Sequence, residues 1–218
     1  MSKFSSITWK KVSHVVNSIY EHEFIKQLAT GHLDAKIFRY YLEQDAYYLY
    51  EFSRCLSVIA SKCEKTYTAV FISMAKEALS ELDVIHEYFV KYIDCKNIAE
   101  ISPANLFYTS YLRSVCSMEA VSVGIASVIP CFWVYYEVGK YLSANNIRDN
   151  NPYSKWISAY TGENFKKAAD TSIRILDEYS LRESEQTQKK MQTAFFNSTK
   201  LELMFWDDAY HLRTFSSI

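Results

Sequence analysis

Residues 120–136 read Ala-Val-Ser-Val-Gly-Ile-Ala-Ser-Val-Ile-Pro-Cys-Phe-Trp-Val-Tyr-Tyr, a largely apolar run between Glu119 and Glu137. A membrane-spanning helix needs about 20 apolar residues, so the run is marginal in length. Ser122, Ser127 and Pro130 also interrupt it. A helix buried inside a bundle of other helices explains it better. That reading decides the fold class, because it asks for several long helices around this one.

The rest of the chain supplies them. Among 218 residues there are only 4 Gly and 3 Pro. Sheet proteins need Gly-rich turns at short intervals, so this scarcity favours a few long helices. About half the residues are apolar, at 49%, enough for a sizeable core. The spacing of caps and apolar residues predicts about eight helices. The first runs from Thr8, its N-cap, to Ala29, where Thr30-Gly31 stops it. Asp34 caps a second that reaches Lys62. The third, from Thr66 to Tyr92, carries Ile72, Ala75, Leu79, Leu82 and Ile85/His86 at amphipathic spacing. Asp94-Cys95-Lys96-Asn97 breaks it. Ser102-Pro103 opens a helix that ends near Cys116–Glu119. The apolar helix follows and ends around Asn145-Asn146. Asn151-Pro152 starts a short helix, Thr161-Gly162 separates it from one over 163–180, and Glu183 to Thr214 forms the last. No repeat or flexible linker divides residues 1–218, so one all-α domain is expected.

Net charge is −1, with no basic block, which argues against a nucleic-acid surface. The N-terminus has no apolar run, hence no secretory signal. The five cysteines, Cys55, Cys63, Cys95, Cys116 and Cys131, include no C-x-x-C pair and no His at zinc spacing. Neither a disulfide framework nor a zinc site is expected, and reduced thiols in a cytoplasm fit best. Tyrosine is abundant, at 18. A buried tyrosine must satisfy its hydroxyl, so some of these could point into a pocket, although a boundary position suits most of them.

Four places could carry chemistry. Tyr41, Asp45 and Tyr48 share one helix face with Ile37 and Phe52. An acid on that inward face must be paired or must bind something. It could equally be a structural carboxylate held by neighbouring tyrosines. Second, Pro130 inside the apolar helix deprives the Ala126 carbonyl of its partner and tends to kink the chain, which can turn Cys131 toward a cavity. Tyr135 lies one turn later. Local sequence by itself favours an inert buried thiol, since no cation is nearby to activate it. Third, Glu202 sits among apolar residues with Phe205 one turn on. The commoner case is a half-exposed acid at a helix edge. Fourth, Tyr108 and Tyr160 could line a pocket or merely pack.

Taken together, the segments that carry these places resemble the TenA/thiaminase II family, whose heme oxygenase-like fold is an all-α bundle. The resemblance rests on Gly31-His32-Leu33 leading into Phe38-Arg39-Tyr40-Tyr41-Leu42-Glu43-Gln44-Asp45, on Tyr108-Thr109-Ser110-Tyr111-Leu112, on Ile129 to Gly139, on Asn151-Pro152-Tyr153-Ser154-Lys155-Trp156-Ile157, and on Phe205-Trp206. The Pro-Cys-x-Trp-x-Tyr-Tyr-Glu-x-Gly pattern is the most specific. The resemblance implies an aminopyrimidine aminohydrolase of thiamin salvage that also cleaves thiamin. It implies that Cys131 is the nucleophile, that Asp45 and Glu202 are the carboxylates around the pyrimidine, and that Tyr108 assists Glu202. Tyr48, Tyr108, Tyr135 and Tyr160 would line the pocket, with Phe205 as an aromatic wall. No cofactor or metal is implied, and a homotetramer is. Two other readings remain: a metal-dependent oxidase on the same fold, for which Glu81 and His86 are badly spaced, and a non-catalytic pyrimidine-binding regulator.

Overall fold

The computed structural model describes residues 3–92, 100–145 and 150–217, with backbone only for 82–92 and 217. Among these residues the secondary structure is helical: α1 (Phe4–Tyr20), α2 (Glu23–Thr30), α3 (Ala35–Lys62), α4 (Lys65–Tyr92), α5 (Pro103–Met118), α6 (Val121–Ala144), α7 (Ser154–Thr161), α8 (Glu163–Ser180) and α9 (Glu185–Tyr210), followed by a 3-10 turn at Phe215–Ser217.

Helix α6 is the axis. Every residue from Ser122 to Pro130 is buried. The helix packs against α1, α2, α3, α5, α7, α8 and α9. It is long and apolar enough to cross a bilayer, yet 72% of its most apolar 18 residues are buried inside the bundle. A helix apolar all round needs such enclosure. Pro130 removes one backbone donor, but the helix continues through it to Ala144.

Several boundaries follow the caps. The Asp34 carboxylate accepts from the Lys36 N–H at 2.7 Å, and Ser102 Oγ accepts from the Asn105 N–H at 3.1 Å ahead of Pro103. Gly31 adopts φ 70°, the left-handed conformation that ends α2.

Three expectations need correction. The expected first helix is two. His22 interrupts it, its Nδ1 accepting from the Phe24 N–H at 3.2 Å while Nε2 lies 3.2 Å from Asp207 Oδ1. This bend drives Phe24 and Ile25 into the core, and Thr8 is a buried residue within α1, not its cap. The last helix stops at Tyr210, short of Thr214, where Leu212 takes φ 53° and Arg213 turns back to pair with Asp208 Oδ1 at 3.1 Å.

The third correction concerns α4. Its buried face is Tyr67, Phe71, Met74, Ala75 and Ala78, whereas Ile72 (55% exposed) and Leu79 (42%) face outward. Ala75 belongs to both stripes, so the apolar pattern alone permits either rotation. Packing on α3, the principal partner of α4, selects the aromatic one. The rotation turns Glu81 toward the bundle interior. The expected break at 94–97 and the side chains of Leu82, Ile85 and His86 lie outside the described residues.

Candidate active site

The inward face of α3 carries Tyr41, Asp45, Tyr48 and Phe52, all buried. Gln44 anchors this face. Its Oε1 accepts from the Ser102 N–H at 2.8 Å and from Asn105 Nδ2 at 3.1 Å, and its Nε2 donates to the Glu100 carbonyl at 3.0 Å. The start of α5 is thereby tied to the helix that holds Asp45. A second tie joins α5 to α9, where Asp208 Oδ2 accepts from the Ala104 N–H at 2.7 Å. One helical turn further along α5, the Tyr108 hydroxyl donates to Glu202 Oε1 at 2.8 Å. Glu202 is 2% exposed, so the half-exposed helix-edge reading does not hold.

From α6, Cys131 and Tyr135 face the same cavity as Asp45 and Tyr48. Tyr160 arrives from α7 through a close approach. A Cβ on Gly139 would stand 3.0 Å from Tyr160 Cβ and 3.2 Å from its carbonyl carbon, so only glycine lets the two helices meet there. The Tyr160 and Tyr135 rings lie 5.1 Å apart, and the Tyr135 hydroxyl bonds that of Tyr41 at 3.1 Å.

These elements enclose a cavity of about 940 Å³, bounded on its far side by α4 and α8. Of the residues singled out from sequence, Asp45, Tyr48, Cys131, Tyr135 and Tyr160 line it. Tyr108, Glu202 and Phe205 stand behind that lining. Phe205 meets the Tyr48 ring at 64°, with centroids 5.9 Å apart, and Tyr108 lies 5.0 Å from Tyr48. One residue of the cavity was read from sequence only as a badly spaced metal ligand. Glu81 lines the cavity from α4, its Oε1 accepting from the Tyr160 hydroxyl at 2.8 Å. Its signal was the Phe71, Met74, Ala78 spacing, which continues to 81.

Burial governs the electrostatics. It pushes Asp45 well above the usual carboxylate range, and the charges of Glu81 and Glu202 push it further. Burial likewise raises Glu81, against the opposing hydrogen bond from Tyr160. Glu202 rises to about 8, again by burial, with the Tyr108 hydrogen bond pulling back. The Cys131 thiol is raised far above its ordinary value by burial first and by Glu202 next, while nearby Tyr48 opposes. The cavity therefore holds a neutral thiol near Glu202, a carboxyl group poised to take up or give a proton near neutral pH, with Asp45 and Glu81 also shifted toward their protonated forms. Asp45 Oδ2 is buried without a hydrogen-bond partner, whereas the Tyr48 hydroxyl lies beside the Cys131 thiol and the Tyr108 hydroxyl. Leaving a buried carboxyl oxygen bare costs about 1–3 kcal/mol, which a bound polar ligand would recover. Among the described residues, no three His, Cys, Asp or Glu side chains converge as a metal-binding group. Cys55, Cys63, Cys116 and Cys131 are free thiols, and Cys95 lies outside the described residues.

Comparison with known proteins bears on this geometry. The TENA/THI-4/PQQC family profile matches residues 9–212. The chain belongs to this family. An aminopyrimidine aminohydrolase of Halalkalibacterium halodurans is 30% identical over 216 residues, covering 96% of each chain. A TenA homologue from Pyrococcus furiosus superposes with a TM-score of 0.89 at 22% identity, over 95% of this chain and 100% of that one. A Shewanella denitrificans domain described as having a heme oxygenase-like fold reaches 0.76 at 14% identity, covering 93% and 90% of the two chains. The fold of this TENA/THI-4/PQQC member is thus the heme oxygenase-like bundle.

Proposed function

We propose that this protein is an aminopyrimidine aminohydrolase that converts 4-amino-5-aminomethyl-2-methylpyrimidine to its 5-hydroxymethyl counterpart, and that it also cleaves thiamin at the same methylene. The observation that carries this reading is the meeting of Cys131 and the unpartnered Asp45 carboxylate in one tyrosine-walled cavity, with the Tyr108–Glu202 pair directly behind its Tyr48 wall. The 30% identity to a relative named for that activity supports it.

The residue types suit the reaction. An aminopyrimidine resists direct displacement at its exocyclic CH2. In this mechanism Sγ of Cys131 adds to the ring carbon beside that substituent, and the thiol proton passes to Glu202, replacing the one that Glu202 gives to the ring. Glu202, protonated at neutral pH, delivers a proton to the ring nitrogen with Tyr108 holding its other oxygen in line. Aromaticity is lost at that point. The ring electrons then expel the amine as ammonia, water adds to the exocyclic carbon, and the thiolate leaves to restore the ring. The net change is one water consumed and one ammonia released. Asp45 grips the amidine edge of the pyrimidine, with Tyr48, Tyr135 and Tyr160 around the ring and Phe205 backing Tyr48.

The reading includes a cytoplasmic homotetramer, with which exposed Tyr50 and Phe107 are compatible, and light scattering measures that assembly. The functional test is a direct assay of the purified protein. Ammonia and the hydroxymethylpyrimidine should form in equal amounts from the aminopyrimidine, and thiamin should lose its thiazole. Turnover of neither substrate would overturn the reading.

A further inference from the structure

The scheme above uses Asp45 at the ring edge and Glu202 at the ring nitrogen, and it leaves Glu81 without a task. Glu81 faces the cavity from α4, across from the α6 wall that carries Cys131. Its placement is built, since Gly139 admits Tyr160 close to α6 and Tyr160 fixes Glu81 Oε1 by a 2.8 Å hydrogen bond. The described lining is otherwise acidic. It includes Asp45, Glu77 and Glu81, and its one cationic side chain, Lys167, is exposed on α8. Asp45 Oδ2, in a residue only 3% exposed, has no partner within that space. Facing carboxylates with no buried counter-ion suit a cation.

An aminomethylpyrimidine carries its cation on the exocyclic arm, as a primary ammonium. We propose that Glu81 is the carboxylate that binds this ammonium, orienting it as the leaving group and favouring amine-bearing substrates over uncharged ones. The inference rests on the aminohydrolase reading and extends it. When the C–N bond breaks, its electron pair goes to nitrogen and neutral ammonia departs, so Glu81 gives up no proton. A thiazolium leaving group has no N–H on its ring nitrogen, so Glu81 offers it no hydrogen bond.

Binding to a protein that cannot turn over separates this role from a structural one. In Cys131→Ser, dissociation constants for the aminomethyl and hydroxymethyl pyrimidines are measured by calorimetry, with and without Glu81→Gln. A charge-assisted hydrogen bond is worth about tenfold to a hundredfold in affinity. Glu81→Gln should weaken the aminomethyl compound by that factor and leave the hydroxymethyl compound within about twofold. In the enzyme with Cys131 intact, Glu81→Gln should lower kcat/KM more for the aminopyrimidine than for thiamin. Tyr160→Phe should shift the ratio of affinities the same way, by less. Equal weakening of both ligands, or of neither, would overturn the Glu81 role while leaving the aminohydrolase reading standing. An enzyme with Cys131 intact that does not hydrolyse the aminopyrimidine would overturn both.

Discussion

Helix α6 brings Cys131 to the cavity from within the bundle, packed against α1, α2, α3, α5, α7, α8 and α9, whereas α4 brings Glu81 from outside, with α3 as its principal partner. The difference shows how each wall is specified. An all-round apolar helix has one place to go, so Cys131, half-buried at the cavity, and buried Tyr135 are positioned by the helices that enclose the rest of α6. A two-faced helix such as α4 can present either of two stripes, and one neighbour chooses between them. The α6 wall, with Glu202 and Tyr108 beside it, holds the proposed bond-making groups. The α4 wall holds the group proposed to select among substrates.

Variants in each wall can break or sharpen this contrast. Glu202→Gln should act most strongly among those considered first, lowering kcat by about 10²–10⁴-fold through loss of the proton carrier. It should also change the pH dependence of folding. With the Glu202 carboxyl raised from its ordinary 4.5 to about 8, the folded protein holds a proton there that the unfolded chain releases. The stability linked to this group is whole below about pH 4.5 and is lost as pH rises toward 8. The unfolding free energy of Glu202→Gln, from urea denaturation, should therefore gain on the wild type across that window, by up to about 1.4 kcal/mol per pH unit at its steepest. A constant gap would count against a buried neutral Glu202.

Next comes the α4 register. Phe71→Ala removes a ring that is 1% exposed and should cost about 3–5 kcal/mol in urea denaturation. Gly139→Ala should follow. Its new Cβ must push Tyr160 away, costing about 1–3 kcal/mol and lowering kcat/KM through the displaced Tyr160–Glu81 pair. Ile72→Ala should have the smallest effect, within about 0.5 kcal/mol, because that side chain faces solvent. A larger loss at Ile72 than at Phe71 would reverse the assigned face.

The same contrast explains what could be read in the chain. The all-α class followed from the run at 120–136, and the caps at Asp34, Ser102 and Gly31 marked true boundaries. Asp45 and Tyr48 were legible as inward because Tyr41 and Phe52 share their face. Cys131 was not legible as reactive from local chemistry, since burial argues for an inert thiol, and the family resemblance supplied that expectation. The break at His22 was hidden because its fixing partner, Asp207, lies 185 residues away. Glu81, weighed in the sequence only beside His86 as a metal ligand, was not legible as a cavity residue for a related reason. Ile72 and Leu79 made an equally apolar stripe, and only the packing of α4 on α3 decides which stripe turns inward.

The central claim is that Cys131 forms the bond that activates the pyrimidine. Its most direct test is ammonia release from 4-amino-5-aminomethyl-2-methylpyrimidine by Cys131→Ser, at saturating substrate, beside the wild type. The account predicts a loss of about a thousandfold or more, with hydroxymethylpyrimidine still bound at near wild-type affinity. A Cys131→Ser protein that hydrolyses the aminopyrimidine at close to the wild-type rate would contradict it.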